Sequence, residues 1–282
     1  MSLSEDTLDL GLERQRLTRL AYRMLGGWAD AEDIAQDALM RLSAQRPPPR
    51  NPQGWLTTVA TRIAIDRIRR IKARRETYPG PWLPDPIVTE DAEPGPDLSV
   101  GMMLLLERLT PEERAAFTLR EAFGTPYSEI AASLEKSEPA VRQLVSRARG
   151  KVQSDKPLQR ASPARHSELL QAFLTSVLAG DTEAIKSALR ADVVMLTDGG
   201  GRRSAALRPI HGRDEVAGLI QFLGSKRTAV RTAAMLRLNG APAFFFIDGE
   251  GDPVTLQIDA SEDGIAAIYA VRNPGKLEHI PR

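Results

Sequence analysis

Residues 126–151 read PYSEIAASLEKSEPAVRQLVSRARGK, and their apolar spacing predicts two short helices joined by a tight turn. Ile130, Ala131 and Leu134 give the first helix an inner face, and Ser137 is placed to N-cap the second. In the second helix Val141, Leu144, Val145 and Ala148 point inward. Arg142, Ser146 and Arg149 line up outward at i, i+4 and i+7, with Gln143 and Arg147 in a neighbouring row. Two short helices, a tight turn and a basic second helix form an arrangement that reads the major groove. Arginine pairs with guanine edges there, and glutamine with adenine. Glu135 and Lys136 occupy the turn, where glycine often stands, so a looser or mildly strained turn is expected. An ordinary helical hairpin would show the same inner periodicity.

Upstream of this stretch the chain also reads as helices. LERQRLTRLAYRMLGG spaces Leu17, Leu20, Ala21, Met24 and Leu25 by three and four residues and stops at Gly26-Gly27. DAEDIAQDALMRLSA begins at Asp30, a suitable N-cap; Ile34, Ala38 and Leu42 mark one face, and Glu32, Asp33, Gln36 and Asp37 another. RPPPRNP breaks the pattern. A third helix is expected from about Gln53 through Arg75. On it Thr58, Arg62, Asp66 and Arg69 form one stripe, widened by Arg67, Arg70, Lys72, Arg74 and Arg75, while Val59, Ile63 and Ile68 mark the other side. A guanidinium face suits phosphate, because arginine's fork meets two oxygens. Trp55, at its start, could stack on an unpaired base. A charged face is as often merely solvated, Arg62–Asp66 fits a plain surface pair, and Trp55 fits a core position. Thr110-Pro111-Glu112-Glu113 is a capping box with proline at the first helical position.

Composition narrows the function. The chain has 282 residues, enough for two domains or a little more, and a net charge of +1, so only local clusters of charge point to partners. With no cysteine, disulfides, thiolate nucleophiles and cysteine-based zinc sites are excluded. His166, His211 and His279 are the 3 histidines and lie far apart, which argues against a histidine-rich metal site. The opening MSLSEDTLDL lacks a basic stretch followed by an apolar core, and no apolar run approaches about 20 residues. A cytoplasmic protein without a membrane partner is expected.

After residue 163 the texture changes. A helix, HSELLQAFLTSVLAG, is followed by the strand-like runs VVMLT, AFFFID, PVTLQID and GIAAIYAVRN, which suggests an α+β domain. Residues 77–97 and 154–163 read as linkers. The first contains WLPDP, residues 82–86, and a tether has no use for Trp82. Burying one aromatic ring contributes at most about 4–6 kcal/mol. Ordering five residues costs about 5–10 kcal/mol. Pro81, Pro84 and Pro86 lower that cost by restricting the free chain, and Leu83 and Ile87 add apolar contact, so a docking strip is expected.

In order, these segments resemble the extracytoplasmic-function (group IV) sigma factors of the sigma-70 family, over about residues 8–153. DAEDIAQDALMRL resembles the region 2 helix that docks on polymerase; NPQGWLTTVATRIAIDRIRR resembles the promoter-melting and −10 helix; LTPEERAAFTLREAFGTPYSEIAASLEKSEPAVRQLVSRARGK resembles region 4. The resemblance implies that Asp30, Glu32, Asp33, Gln36 and Asp37 face core RNA polymerase. Trp55, Thr58, Arg62, Asp66, Arg67, Arg69 and Arg70 would serve the melted −10 element, with SAQRPPPRNP helping to capture the extruded base. Arg142, Gln143, Ser146, Arg147 and Arg149 would serve the duplex −35 element.

The remainder resembles a SnoaL-like domain of the nuclear transport factor 2-like fold, a cone with a pocket. WLPDP, DGGGR at 198–202 and NPGKL at 273–277 are the motifs of sigma factors carrying this extension, although Gly275 stands where an acidic residue is common. The fold class implied is multidomain: two all-α sigma domains, region 2 at 8–76 and region 4 at 98–153, and an α+β domain at 164–282. Regulation in cis follows, through Trp82, Leu83, Pro84, Asp85 and Pro86 meeting Asp198, Gly199, Gly200, Gly201 and Arg202. No catalytic residue, cofactor or metal is expected, and an unknown small ligand could occupy the cone. Two other readings stand beside this one: a one-component ligand-sensing regulator that binds duplex DNA without polymerase, and a SnoaL-like enzyme with a DNA-binding appendage, for which Asp198, His211, Asp248 and Asp259 are the polar candidates. DGGGR lacks phosphate-loop spacing; a turn with positive φ or a close packing contact explains the glycines better.

Overall fold

Glycine ends the first helix as its sequence requires. In the computed structural model, which describes residues 8–75, 77–89, 98–154, 161–226 and 232–280, α1 (Leu10–Leu25) starts on the Asp9 carboxylate and closes at Gly26, φ 73°. Its Leu17, Leu20, Ala21, Met24 and Leu25 are all buried. α2 (Trp28–Ala44) begins two residues before Asp30, with Gly27 as N-cap. Asp30 therefore sits in the first turn rather than at the cap, and its carboxylate is drawn to Arg67, 2.5 Å away. α3 (Pro52–Arg75) is capped by Asn51, whose side chain accepts from the Gly54 N–H. Its buried face is Leu56, Ala60, Thr61, Ala64 and Ile65; Val59, Ile63 and Ile68, expected to be the inner side, are only half-buried. Small residues and threonine carry the close packing there, which an apolar count underweights. The side chains of Lys72 and Arg74 lie outside the described residues.

α4 (Val100–Glu107) and α5 (Pro111–Phe117) follow, the latter opened by the Thr110–Glu113 capping box. A π-helical turn, Thr118–Ala122, continues α5. α6 (Tyr127–Leu134) and α7 (Glu138–Ser154) form the helix-turn-helix, and α7 packs on α5. Ile130, Val141, Val145 and Ala148 are buried, with Leu134 and Leu144 at the margin. Between the helices Glu135 sits at φ 53°, a left-handed position that costs a non-glycine residue roughly 1–2 kcal/mol.

Beyond these come α8 (Pro163–Ala179), α9 (Thr182–Ala188), β1 (Leu189–Asp198), β2 (Ile210–His211), α10 (Arg213–Lys226), β3 (Thr232–Leu238), β4 (Ala241–Ile247), β5 (Pro253–Ser261), β6 (Gly264–Val271) and α11 (Pro274–Leu277). The four strand-like runs are β1, β4, β5 and β6. β3 and α10 escaped sequence reading, since TAAMLRL lacks clean alternation. The sheet order is β2-β1-β6-β5-β4-β3, parallel at β1–β6 and antiparallel elsewhere. One face is covered by α8, α9 and α10, with Leu170, Phe173, Val193, Met195, Val216, Ile258 and Ile268 packed between.

The opposite face has a different cover. Leu83 and Val100 pack there on Leu238, Ala243, Phe245, Val271, Leu277 and Ile280. The chain accordingly divides into two packed units, Met1–Arg74 with Leu105–Asp155, and Arg75–Leu104 with Lys156–Arg282. Thr89 extends this cover by donating its N–H to Arg237 O beside the Val88–Leu238 bridge. At the start of α4, a Cβ on Gly101 would lie 2.0 Å from Asp259 Oδ2 and 3.0 Å from Tyr269 Oη, and these two groups are themselves hydrogen-bonded at 2.8 Å. On helix propensity alone Gly101→Ala stabilises by up to about 1 kcal/mol. Here the clash dominates, and the variant is expected to lose roughly 1–3 kcal/mol in denaturant unfolding of the full chain, with Asp259→Ala restoring part of it.

Candidate promoter-reading surfaces and linker site

Within the first unit, the stripe on α3 is already engaged. Thr58 Oγ1 shares a hydrogen bond with Ser133 Oγ at 2.8 Å. Arg62 donates to the carbonyls of Ser133 and Ala132, at 3.1 and 3.3 Å, and pairs with Glu135 at 3.1 Å. Arg69 reaches both Asp66, at 3.2 Å, and Glu112, at 2.6 Å. Asp66 thus pairs with Arg69, while Arg62, its expected partner, turns to the end of α6. Arg67 holds Asp30, Arg70 is exposed, and Trp55 is half-buried. The α3 face and the helix-turn-helix meet through these groups, and Arg114 adds a buried bond from α5 to Met24 O, 2.7 Å.

On α2, Asp33 and Gln36 are exposed, Glu32 faces Arg14 at 3.7 Å, and Asp37 pairs with Arg41 at 3.1 Å. A groove of about 410 Å³ lies alongside, lined by Arg14, Gln36, Leu39, Met40 and Ser43. On α7, Arg142, Gln143, Ser146 and Arg147 are exposed, whereas Arg149 donates twice to Glu121, at 3.2 and 2.7 Å.

In the second unit the linker is bound by a buried carboxylate. Asp198, with no solvent exposure, accepts from Tyr78 Oη (2.5 Å), Leu83 N (2.9 Å), Gly200 N (3.0 Å) and Lys276 Nζ (2.8 Å). Lys276 also donates to Leu83 O and lies 3.9 Å from Asp85. Its ammonium sits 4.1 Å from the Trp82 ring centre, and the Arg75 guanidinium 3.4 Å from it. Leu83, fully buried, goes deeper than the half-buried Trp82, whose ring meets both cations. Pro84 and Pro86 are buried, and His279 Nε2 donates to Pro86 O at 2.6 Å.

The glycines of DGGGR are explained by contact and by φ. A Cβ on Gly199 would meet Arg203 O at 2.1 Å; on Gly200 (φ 59°), the Asn273 side chain at 2.2 Å; on Gly201 (φ 70°), Pro79 Cγ at 2.8 Å. Arg202 N closes the turn on Gly199 O, and the Arg202 side chain is exposed. Tyr78, Asn273 and Lys276 were missed as site residues. Two of them lie in NPGKL, and a lysine amid the apolar end of a chain was the available signal. Asn273 donates to Tyr78 Oη at 3.0 Å. Burial and the adjacent Asp198 carboxylate push the Tyr78 phenol well above its ordinary pKa. Burial pulls Lys276 down, opposed by Asp198 and Asp85.

The four polar candidates for catalysis are differently placed. Asp248 accepts from the N–H groups of Glu250 and Asp252 and from buried Arg272, 2.7 Å; Asp259 is held by Tyr269; His211 is exposed on β2. Among the described residues no helix is long and apolar enough to cross a membrane.

Known proteins show the same arrangement of regions. Residues 12–75 match sigma-70 region 2 and residues 100–152 match sigma-70 region 4. The chain belongs to the extracytoplasmic-function sigma factors of RNA polymerase, in the sigma-70 family, with an α+β domain appended. It is 34% identical to the ECF RNA polymerase sigma factor SigJ of Mycobacterium tuberculosis, across 95% of this chain and 92% of that protein. The crystal structure of SigJ superposes with a TM-score of 0.78 at 31% identity, covering 95% of this chain and 96% of that one. SigI, a probable ECF RNA polymerase sigma factor of the same organism, is 31% identical over 62% of this chain and 64% of its own.

The linker site makes two measurable demands. Because the folded state keeps Tyr78 protonated while the unfolded chain ionises it near pH 10, the folded state binds more protons above that pH, and stability falls as pH rises. Lys276 acts with opposite sign, adding stability as pH rises up to its unfolded value near 10.4. Tyr78→Phe is therefore expected to flatten the alkaline loss of stability followed by denaturant titration between about pH 9.5 and 11. Separately, a Cβ on Gly275 would lie 3.8 Å from Arg202 Nη1. Gly275→Asp is expected to supply the absent acidic partner and raise stability by about 0.3–1 kcal/mol, an increment abolished by Arg202→Ala.

Proposed function

We propose that this sigma factor docks on core RNA polymerase through the α2 surface of Asp30, Glu32, Asp33, Gln36 and Asp37, and captures the melted −10 element with α3. It reads the duplex −35 element with α7 and is regulated in cis by its C-terminal domain, all in the cytoplasm. Regions 8–76, 98–153 and 164–282 are the functional domains of this scheme. The groove beside Gln36, with Met40 61% exposed at its edge, supports polymerase docking, since an apolar groove rimmed by polar groups suits a protein partner. Polymerase joins two individually weak DNA contacts, so that the second becomes effectively intramolecular. The phosphodiester chemistry belongs to polymerase, and the tail acts as a docking domain rather than an enzyme. The full occupation of Asp198 and Asp248 by structural donors supports that assignment.

The observation that carries the regulatory part is the seating of Tyr78, Trp82 and Leu83 on Asp198 and Lys276. This contact supports control by the tail of the segment that connects the two promoter-reading regions. A second observation supports a resting form: Arg62 cannot donate to Ala132 and Ser133 carbonyls and to DNA with the same N–H groups.

Run-off transcription with core polymerase on promoters from the chain's own gene region tests both parts. Trp82→Ala and Asp198→Asn, each in the full chain, are expected to change initiation severalfold and in the same direction as removal of residues 161–282. Wild-type output from all three would refute regulation in cis. Absence of initiation by the wild type on every promoter, with footprinting of duplex DNA by the chain alone, would instead favour a polymerase-independent regulator.

A further inference from the structure

Two arginines converge on one ring in the helix-turn-helix. The guanidinium of Arg142, on α7, lies over the Tyr127 ring at 4.1 Å from its centre, and that of Arg120 at 4.6 Å. Tyr127 is the first residue of α6 and half-buried. Arg120 belongs to the π-helical turn and also donates to Thr125 O at 3.1 Å. A π-helical turn holds more residues than an α-helical one, so it changes which side chains face a neighbour, and such turns concentrate at functional sites. Here the turn carries Arg120 to Tyr127 and Glu121 to Arg149.

The two outward arginines of α7 are consequently held in opposite ways. Arg149 is gripped by its edge: Nε and Nη2 both donate to Glu121 Oε1, and those are the donors a base would need. Arg142 is held instead against the face of the Tyr127 ring. A contact with a π system, unlike a bidentate carboxylate pair, does not consume the N–H groups as hydrogen-bond donors. Its ion-pair partner Glu138 is 3.6 Å away, with both side chains about half exposed, so that pair yields readily. A flexible side chain ordered before binding loses less freedom on contact with DNA.

We propose that Tyr127 is a positioning residue for promoter recognition. Its ring presents the edge of Arg142 to the bases of the −35 element, and Arg120 braces the ring, while Arg149 serves the fold. This rests on the −35 reading of α7 given above.

The test uses full-length protein assembled with core polymerase and a panel of promoters carrying each single base-pair change across the −35 element. Binding is compared for wild type, Tyr127→Leu, Tyr127→Met, Tyr127→Phe and Arg142→Ala. The ringless variants are expected to lose roughly three- to tenfold discrimination at the base pair where Arg142→Ala loses it, and nowhere else. Adding Arg142→Ala to either should cost nothing more, whereas Tyr127→Phe retains discrimination. Equal weakening across the whole panel, or additive losses in the double variant, would overturn the proposal. Leu and Met fill the site differently, and thermal unfolding identifies a variant that fails to fold; if both fail, loss of discrimination by folded Tyr127→Phe overturns the proposal and its retention supports it. Failure of wild type to discriminate any −35 change would instead remove the underlying reading of α7.

Discussion

A carboxylate with no access to water must find its donors inside the protein, and Asp198 finds them on three separate stretches of chain. Its own loop contributes Gly200 N, the segment joining the sigma regions contributes Tyr78 Oη and Leu83 N, and the last helix contributes Lys276 Nζ. Removing any one leaves a buried charge less well compensated, which costs more than the bond itself gains when made. The glycines follow from the same constraint. The loop after Asp198 must turn back tightly while Asn273 and Pro79 approach it; a side chain at 199 would block the turn at Arg203 O, and one at 200 or 201 would block Asn273 or Pro79. Arginine and lysine beside Trp82 complete the arrangement, because an indole face accepts cations that burial would otherwise disfavour.

The ion pairs on α3 are exposed rather than buried, which suits the competition by DNA proposed above. Arg62 and Glu135 keep 48% and 76% of their side-chain surface exposed, and Arg69 and Glu112 are similarly open, so each pair contributes little to stability. Weak, exposed charge pairs are what phosphate can displace, and the displacement gains from the release of counterions along DNA. The left-handed Glu135 adds a small opposing term: the strain it carries exceeds what its exposed pair to Arg62 returns.

The helical part of the fold was legible because its periodicity is strong and its stops are explicit. Gly26, Thr110 and Ser137 each end or begin a helix where spacing placed them. The helix boundary at Asp30 was not, since an acidic residue near a helix start can serve a distant arginine as well as a cap. The inner face of α3 was misread because Thr61, Ala60 and Ala64 pack more closely than Val59 or Ile63. In the linker, the prolines and the indole drew attention to Trp82, but the deepest burial is at Leu83, whose backbone N–H and C=O are both engaged. Long-range partners such as Tyr78 with Asn273 leave no local period, and only the recurrence of polar residues in otherwise apolar or proline-rich surroundings hints at them.

A linker that fills part of a core differs in kind from a tether. Lifting residues 78–87 from the sheet would uncover Leu83 and Ile87 together with the side chains they cover, and would strip Asp198 of two donors at once. The apolar and electrostatic losses fall on the same residues, so partial release gains little entropy while forfeiting most of the contact. Seating is then close to all-or-none. The prolines sharpen this behaviour, since a chain already restricted when free has little disorder to recover on leaving. A segment seated in this way has two positions, docked or released, which is the property that the proposed regulation in cis requires.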